Sequence, residues 1–396
     1  MQAKTAPKLP VYLDNAASTP MDQRVIDAMV KCLSYEGIFG NSASKDHVYG
    51  WQAAEVIDNA RDQIALAIGC SPLEIIFTSG ATESNNFAIK GLARSLNKAG
   101  DKRKTIITSS IEHKAVIESA TALECEGFVV KLIRPRTDGT ITPEMLDDAM
   151  DESVFLVSIS QANSVLGSMN DINALAEVAH KYGALYHSDC AQSNALIPLD
   201  LDNSLVDMVT LTPEKIYGPK GIGALYLKRS SNIELDPLIS GGGHEKGLRG
   251  GTPATHQIAA MGEAFAIMQK ERTKVCEHLE SLKNRLITGL KEIPNTHING
   301  YMEGTDTPHL PGIVSVSFDK VEGKFLIPTI RGVAVSSGSA CSSSVVKPSY
   351  ILTETGHSDE LAMASIRLSI GRFNTEEDID TALKAIANAV NMLRKA

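Results

Sequence analysis

The stretch EIIFTSGATESNNFAIKGLA, residues 74–93, carries a short apolar segment through Ser79, Gly80, Ala81 and Thr82 directly into a helical pattern with Phe87, Ala88 and Leu92 on one side. An apolar strand that feeds an amphipathic helix is one βα unit, and repeated units of this kind build a mostly parallel sheet. The same texture returns in KTIITSS from 104, FVVKLI from 128, VFLVSIS from 154, GALYHSD from 183, DMVTLT from 207 and IGALYLK from 222. Between them INALAEVAHKYG, 172–183, sets Ile172, Leu175, Val178 and Ala179 at helical spacing and closes on a glycine, as a crossover helix does.

Working outward, the texture changes after about residue 260 to long helices and strands such as IVSVSF, 313–318. A final helix opens at Asn374 or Thr375 and carries Ile379, Leu383, Ile386, Val390 and Leu393 on one face. The fold class is therefore α/β: a large domain over 20–260 with a mostly parallel seven-stranded sheet, and a smaller α+β domain formed by 1–19 and 261–396. The 396 residues suffice for two domains, and the 43% hydrophobic and 21% charged content is that of an ordinary globular protein.

A net charge of -9 argues against direct nucleic acid or membrane partners. No apolar run reaches the length of about 18 residues that a membrane helix needs, and the N-terminus has no signal-like apolar core, so a cytoplasmic location is expected. Six cysteines, at 32, 70, 125, 190, 276 and 341, lack the spacing of a disulfide framework or a metal site. Cys341 is unusual among them, because SSGSACSSS, 336–344, surrounds it with small polar residues instead of apolar ones.

Three constellations carry chemistry. Free backbone N–H groups at the helix start near Ala81, with the Ser79 and Thr82 hydroxyls, make either an anion site or an ordinary capped turn. Asp189, in YHSDCAQS, ends a strand where open α/β sheets bind ligands; its other reading is a helix N-cap. Lys215, in TLTPEKIYGPKG, follows a further strand end and is either a solvated lysine or, in a pocket that lowers its pKa, a covalent one. Taken together, an anion site, a strand-end carboxylate and a strand-end lysine match the phosphate, ring nitrogen and aldehyde of pyridoxal 5'-phosphate (PLP).

YLDNAASTP, GNSASKDHVYGWQ, FTSGATESNN, EHKAV, HSDCAQS, KIYGPKGIGALY, GGGHEKGLRGGT, SSGSAC and SIRLSIGRF occur in the order and at about the spacing of the NifS and IscS type of cysteine desulfurases, and the sequence resembles that family over essentially its whole length. The resemblance implies a fold-type I PLP enzyme of the class-V aminotransferase family, acting as a homodimer, that takes sulfur from L-cysteine, leaves L-alanine, and passes a persulfide to a sulfur-acceptor protein. It implies Lys215 as the lysine that holds the cofactor and moves the substrate Cα proton, Asp189 as the partner of the pyridine nitrogen, and His113 as the residue that stacks on the ring and moves protons. It implies Gln192 beside the phenolic oxygen, and Ala81, Thr82, Thr212 and Thr252 at the phosphate, Thr252 coming from the other subunit. Ser164 stands at a position that touches cofactor and substrate, Arg367 and Asn41 at substrate-binding positions, and Cys341 at the position of the persulfide-forming thiol. The Cys341 thiol, with a reference pKa of about 8.5, must lose its proton to attack, and His113 is the available base. Glycine and serine around it suit a loop that carries sulfur outward. Arg372 is left as an ambiguous neighbour of Arg367.

The pattern departs from the family at three places. Pro213-Glu214 stand where Gly-His is usual, Ser164-Val165 where Asn-Glu is usual, and Gly250 where serine is usual. Glu214 would bring a negative charge toward a phosphate dianion, and strand alternation would keep Asn163 from replacing Ser164. With a chain that ends soon after its last helix, these departures favour a specialised member, in iron–sulfur assembly, tRNA thiolation or DNA phosphorothioation. Two rival readings stand beside the desulfurase: a selenocysteine lyase, and a non-enzymatic scaffold with weak PLP binding.

Overall fold

The computed structural model describes residues 9–194, 196–302, 305–337 and 347–395. β1 (Val11–Tyr12) lies near the start. The seven apolar runs become β2 (Ile75–Thr78), β3 (Thr105–Ser109), β4 (Val129–Ile133), β5 (Val154–Ser158), β6 (Leu185–Asp189), β7 (Met208–Leu211) and β8 (Gly223–Leu227). β9 (Thr296–Asn299), β10 (Ile313–Phe318), β11 (Val333–Ala334) and β12 (Ser365–Ser369) follow.

The large sheet has the order β2-β8-β7-β6-β5-β3-β4. β8 runs antiparallel to both of its neighbours, and the pairs from β7 to β4 are parallel. β2, β3, β5, β6 and β7 therefore all end at one edge, and the segments 79–82, 111–113, 160–164, 189–192 and 212–215 meet there, where open α/β sheets hold ligands. Apart from the edge strand β4, where Val129 and Leu132 are exposed, the strands are largely buried on both faces, with Phe155, Tyr186 and Tyr226 among the largest fully buried side chains. His187, fully buried beneath Asp189, meets the hydroxyls of Ser158 at 2.8 Å and Thr210 at 3.0 Å. Burial pushes this imidazole down to about 3, so it stays neutral and ties β5, β6 and β7 in register.

The crossover helix Ile172–Lys181 starts at Asp171, whose carboxylate accepts the N–H groups of Asn173 and Ala174 at 3.1 and 3.0 Å. The last helix, Glu376–Leu393, opens on a reciprocal Thr375–Asp378 capping box and buries Ile379, Ile386 and Val390. A second sheet, β12-β10-β9, is antiparallel, and β1 pairs in parallel with β11. The helix Thr255–Lys291 is 37 residues long, roughly 56 Å, and packs along Val48–Ile68. Residue 260, the expected division between domains, falls inside this uninterrupted helix. Among the described residues no helix is long and apolar enough to cross a membrane.

Candidate active site

The strand ends enclose a cavity of about 650 Å³. At its base β2 passes into the helix Ala81–Asn86 through Gly80, whose φ of +149° favours glycine. β8 crosses this turn so closely that a Cβ on Gly223 would lie 2.8 Å from the Gly80 Cα. The N–H groups of Ala81 and Thr82 belong to a first helical turn that has no intrahelical acceptor for them. Glu83 braces the turn by accepting the Ser79 N–H at 2.7 Å and the Arg249 Nε at 3.1 Å. Burial opposes ionisation of Glu83, but these two donors hold its carboxyl below the usual range.

Asp189 is 7% exposed and faces the cavity from the end of β6. Its carboxylate accepts the Asn85 Nδ2 at 2.6 Å and the Ala191 N–H at 2.9 Å. Lys215 lies opposite, its Nζ donating to the Ala17 carbonyl and standing 3.8 Å from a Glu214 carboxylate oxygen. Burial lowers the Lys215 pKa, and the Glu214 charge only partly opposes this. Thr212 is anchored through its own N–H to Asn194 Oδ1 at 2.9 Å, and Gln192 donates to the Ala16 carbonyl at 2.8 Å.

His113 is the N-cap of the helix Lys114–Thr121, its Nδ1 accepting the Ala115 N–H at 3.1 Å. The neutral ring consequently carries its proton on Nε2. Its neighbour Glu112 is buried and accepts the Ser160 N–H and hydroxyl at 2.9 and 3.0 Å. Burial pushes the Glu112 carboxyl up to about 8, with the nearby Asp189 charge adding to the shift.

Arg367, in the middle of β12, donates through Nη1 to the Ser164 carbonyl at 3.0 Å and through Nη2 to Asp14 at 2.8 Å. Its Nε is buried and has no partner among the described residues, and the guanidinium lines the cavity, where its charge suits a carboxylate. Arg372 is resolved as structural. It lies over the rings of Tyr217 at 4.0 Å and Phe373 at 4.8 Å, pairs with Asp22, and is absent from the cavity wall.

The expectation that Asn163 and Ser164 alternate along a strand is corrected: residues 164–166 form a turn. Asn163 makes that turn by accepting the Val165 and Leu166 N–H groups at 2.9 and 3.0 Å while donating to the Ile111 carbonyl at 3.2 Å. It is thus fully engaged, and Ser164 reaches the cavity wall. Gly250 also has a steric reason, since a Cβ there would meet the Gly241 backbone at 2.7 Å.

Of the residues singled out from sequence, Ala81, Thr82, His113, Ser164, Asp189, Gln192, Thr212, Lys215 and Arg367 line this one cavity. Asn41 and Thr252 do not. Both are exposed, and Asn41 uses its side chain to accept the Ala43 N–H at 2.9 Å. Cys341 lies outside the described residues, but the chain on either side is placed. Ser336 pairs with Arg367 across a backbone bridge, Tyr350 donates to the Glu112 carbonyl at 2.6 Å, and both line the cavity. Cys190, next to Asp189, is fully buried and its thiol is pushed up to about 12, which excludes it as a nucleophile at neutral pH.

Sequence reasoning missed Asp14, Asn85, Glu112 and Tyr350. Asn85 follows Thr82 by three residues on a helix and so shares its face, a signal that was present.

A strand-end carboxylate, a half-buried lysine and an open helix start lining one cavity fit PLP. The sequence profile of the family described as aminotransferase class-V matches residues 11–382. The chain belongs to this family. Within the class-V aminotransferases it is 48% identical over 387 residues to cysteine desulfurase IscS of Proteus mirabilis (strain HI4320), covering 98% of this chain and 94% of that one. A solved structure described as a NifS-like protein superimposes with a TM-score of 0.87 at 34% identity, covering 97% of this chain and all of the other. DndA from Streptomyces lividans superimposes with a TM-score of 0.75 at 36% identity, over 90% of this chain and 99% of that one.

Proposed function

We propose that this class-V aminotransferase family member is a PLP-dependent cysteine desulfurase that converts L-cysteine to L-alanine and carries the sulfur on Cys341. The observation that carries the reading is that Asp189, Lys215, the 81–82 turn and Arg367 open onto one cavity. The relatives named cysteine desulfurase support it.

In this reading the first-turn N–H groups of Ala81 and Thr82, with the Thr212 hydroxyl, hold the phosphate. Asp189 would hold the ring nitrogen, Gln192 the phenolic oxygen, His113 the ring and Lys215 the aldehyde group. When bound, PLP supplies an electron sink for the pair released as the substrate Cα–H bond breaks. Arg367 binds the substrate carboxylate and fixes the Cα within reach of Lys215. Lys215, made less basic by burial, is more readily neutral and takes the Cα proton. His113 offers its Nε2 side to the cavity for proton movement, because Nδ1 is occupied by the Ala115 N–H. The Cys341 thiolate supplies the pair for a new S–S bond to the substrate sulfur as the substrate Cβ–Sγ bond breaks; the pair of the broken bond stays with Cβ, which takes a proton and becomes the methyl group of L-alanine. Ser336 and Tyr350, both on the cavity wall, bracket that residue.

The exposed positions of Thr252 and Asn41 support a homodimer in which each chain completes the other's site, as do the exposed Tyr35, Phe39 and Trp51 side chains. The sulfur passes on to an acceptor protein. Incubation with PLP, L-cysteine and a reductant is expected to release alanine and sulfide in equal amounts, and Lys215→Ala to abolish both. No alanine from the wild-type protein overturns the reading.

A further inference from the structure

Asp14 lies just beyond β1 and bridges Ser369 at the end of β12. Its carbonyl accepts the Ala17 N–H and the Tyr12 hydroxyl, each at 3.0 Å, so its place is fixed by backbone contacts. Its carboxylate meets one arm of Arg367 at 2.8 Å, with side-chain exposures of 23% for Asp14 and 9% for Arg367. The other arm is held by the Ser164 carbonyl, and Nε is buried with no partner among the described residues. Asp14, Arg367 and Lys215 all line the cavity.

A guanidinium only 9% exposed and without a counter-ion would hold carboxylates tightly. Alanine and cysteine carry the same carboxylate, so any such grip on the substrate falls equally on the product. We propose that Asp14 is a positioning residue that serves as a resident counter-ion of Arg367, aiming the guanidinium into the cavity and weakening its hold so that amino acids bind and leave. The inference rests on the reading of Arg367 as the substrate-carboxylate ligand. Because the weakening is equal for ground and transition states, it shows in binding and in KM before it shows in the chemical step.

The test is calorimetric titration of the PLP-loaded protein with L-alanine and, as a control that lacks the carboxylate, L-alaninamide. Asp14→Asn keeps the shape and the acceptor but removes the charge, and Asp14→Ser provides a second variant. Both are expected to bind L-alanine about three- to tenfold more tightly, the range for removing one partly exposed charge, with the KM for cysteine falling in step. Binding of L-alaninamide is expected to stay unchanged. L-Alanine affinity that is unchanged or weaker in both variants, while Arg367→Gln weakens it strongly, overturns the role of Asp14 and leaves the function standing. Unchanged L-alanine affinity in Arg367→Gln overturns the Arg367 reading and this inference together.

Discussion

Asn85 Nδ2 donates to Asp189 Oδ2 at 2.6 Å, joining the first helix of the site to the strand end that faces it. Both residues are buried, so the hydrogen bond fixes the carboxylate in direction without competition from water. Asn85→Ala is expected to weaken PLP binding about tenfold, the size of losing a hydrogen bond to a charged group. An absorbance titration of the PLP-free protein measures it. Unchanged affinity would show that the other Asp189 contact, the Ala191 N–H, is enough.

Glu214 stands 3.8 Å from the Lys215 amine and lines the same cavity as the 81–82 turn. A carboxylate there repels a phosphate dianion. Glu214→His is expected to tighten PLP several-fold in the same titration, with the gain shrinking at high salt as screening removes the repulsion. Unchanged or weaker affinity refutes the repulsion argument.

Glu245 grips Arg61 through both carboxylate oxygens at 2.9 and 3.2 Å, and also accepts the Phe77 N–H at 2.9 Å. The side-chain exposures are only 16% for Arg61 and 7% for Glu245. Glu245→Ala would leave a buried guanidinium unpaired, and the expected loss of stability is about 3–5 kcal/mol in denaturant unfolding. Arg61→Met with Glu245→Leu together should cost less than Glu245→Ala alone, because neither charge is then stranded.

Glu112 gives a pH signature. Its folded-state pKa, raised to about 8 from 4.5, means that the folded protein holds a proton the unfolded chain releases. Its contribution to stability is therefore full below about 4.5 and falls as pH rises to about 8, by at most about 1.4 kcal/mol per unit, then levels off. Glu112→Gln, which cannot ionise, is expected to gain stability relative to the wild-type chain between pH 6 and pH 8 (roughly the window set by that shift) in paired unfolding curves. A constant difference across that window contradicts the assignment.

The strands of the large sheet other than the half-exposed edge strand β4 were legible because strands buried on both faces must be continuous apolar runs, and breakers such as Ser79-Gly80 mark their ends. The strand ends in turn placed Asp189, Lys215 and Thr82 at one edge. Asp14 and Glu112 were not legible, because each acts on a partner far away in sequence, Arg367 and Ser160; Asn85 could have been found by the helix face it shares with Thr82, though not its distant partner Asp189. Arg367 was marked by the family motif, but the role of Arg372 was not, because the two look alike in SIRLSIGRF. The strand register aims the first at the cavity, and the ring of Tyr217 with the carboxylate of Asp22 captures the second. The turn at 164–166 is made by the Asn163 side chain and closed by Gly167, whose φ is +78° and whose N–H returns to the Asn163 carbonyl; that glycine was the signal against a strand.

The central claim is that sulfur leaves L-cysteine and arrives on Cys341. The direct measurement is a single turnover of the PLP-loaded protein with one equivalent of L-cysteine and no reductant, followed by alanine quantification and mass spectrometry of the peptide bearing Cys341. One added sulfur on Cys341 is expected for each alanine formed. Alanine without persulfide on that residue, or no alanine at all, would contradict it.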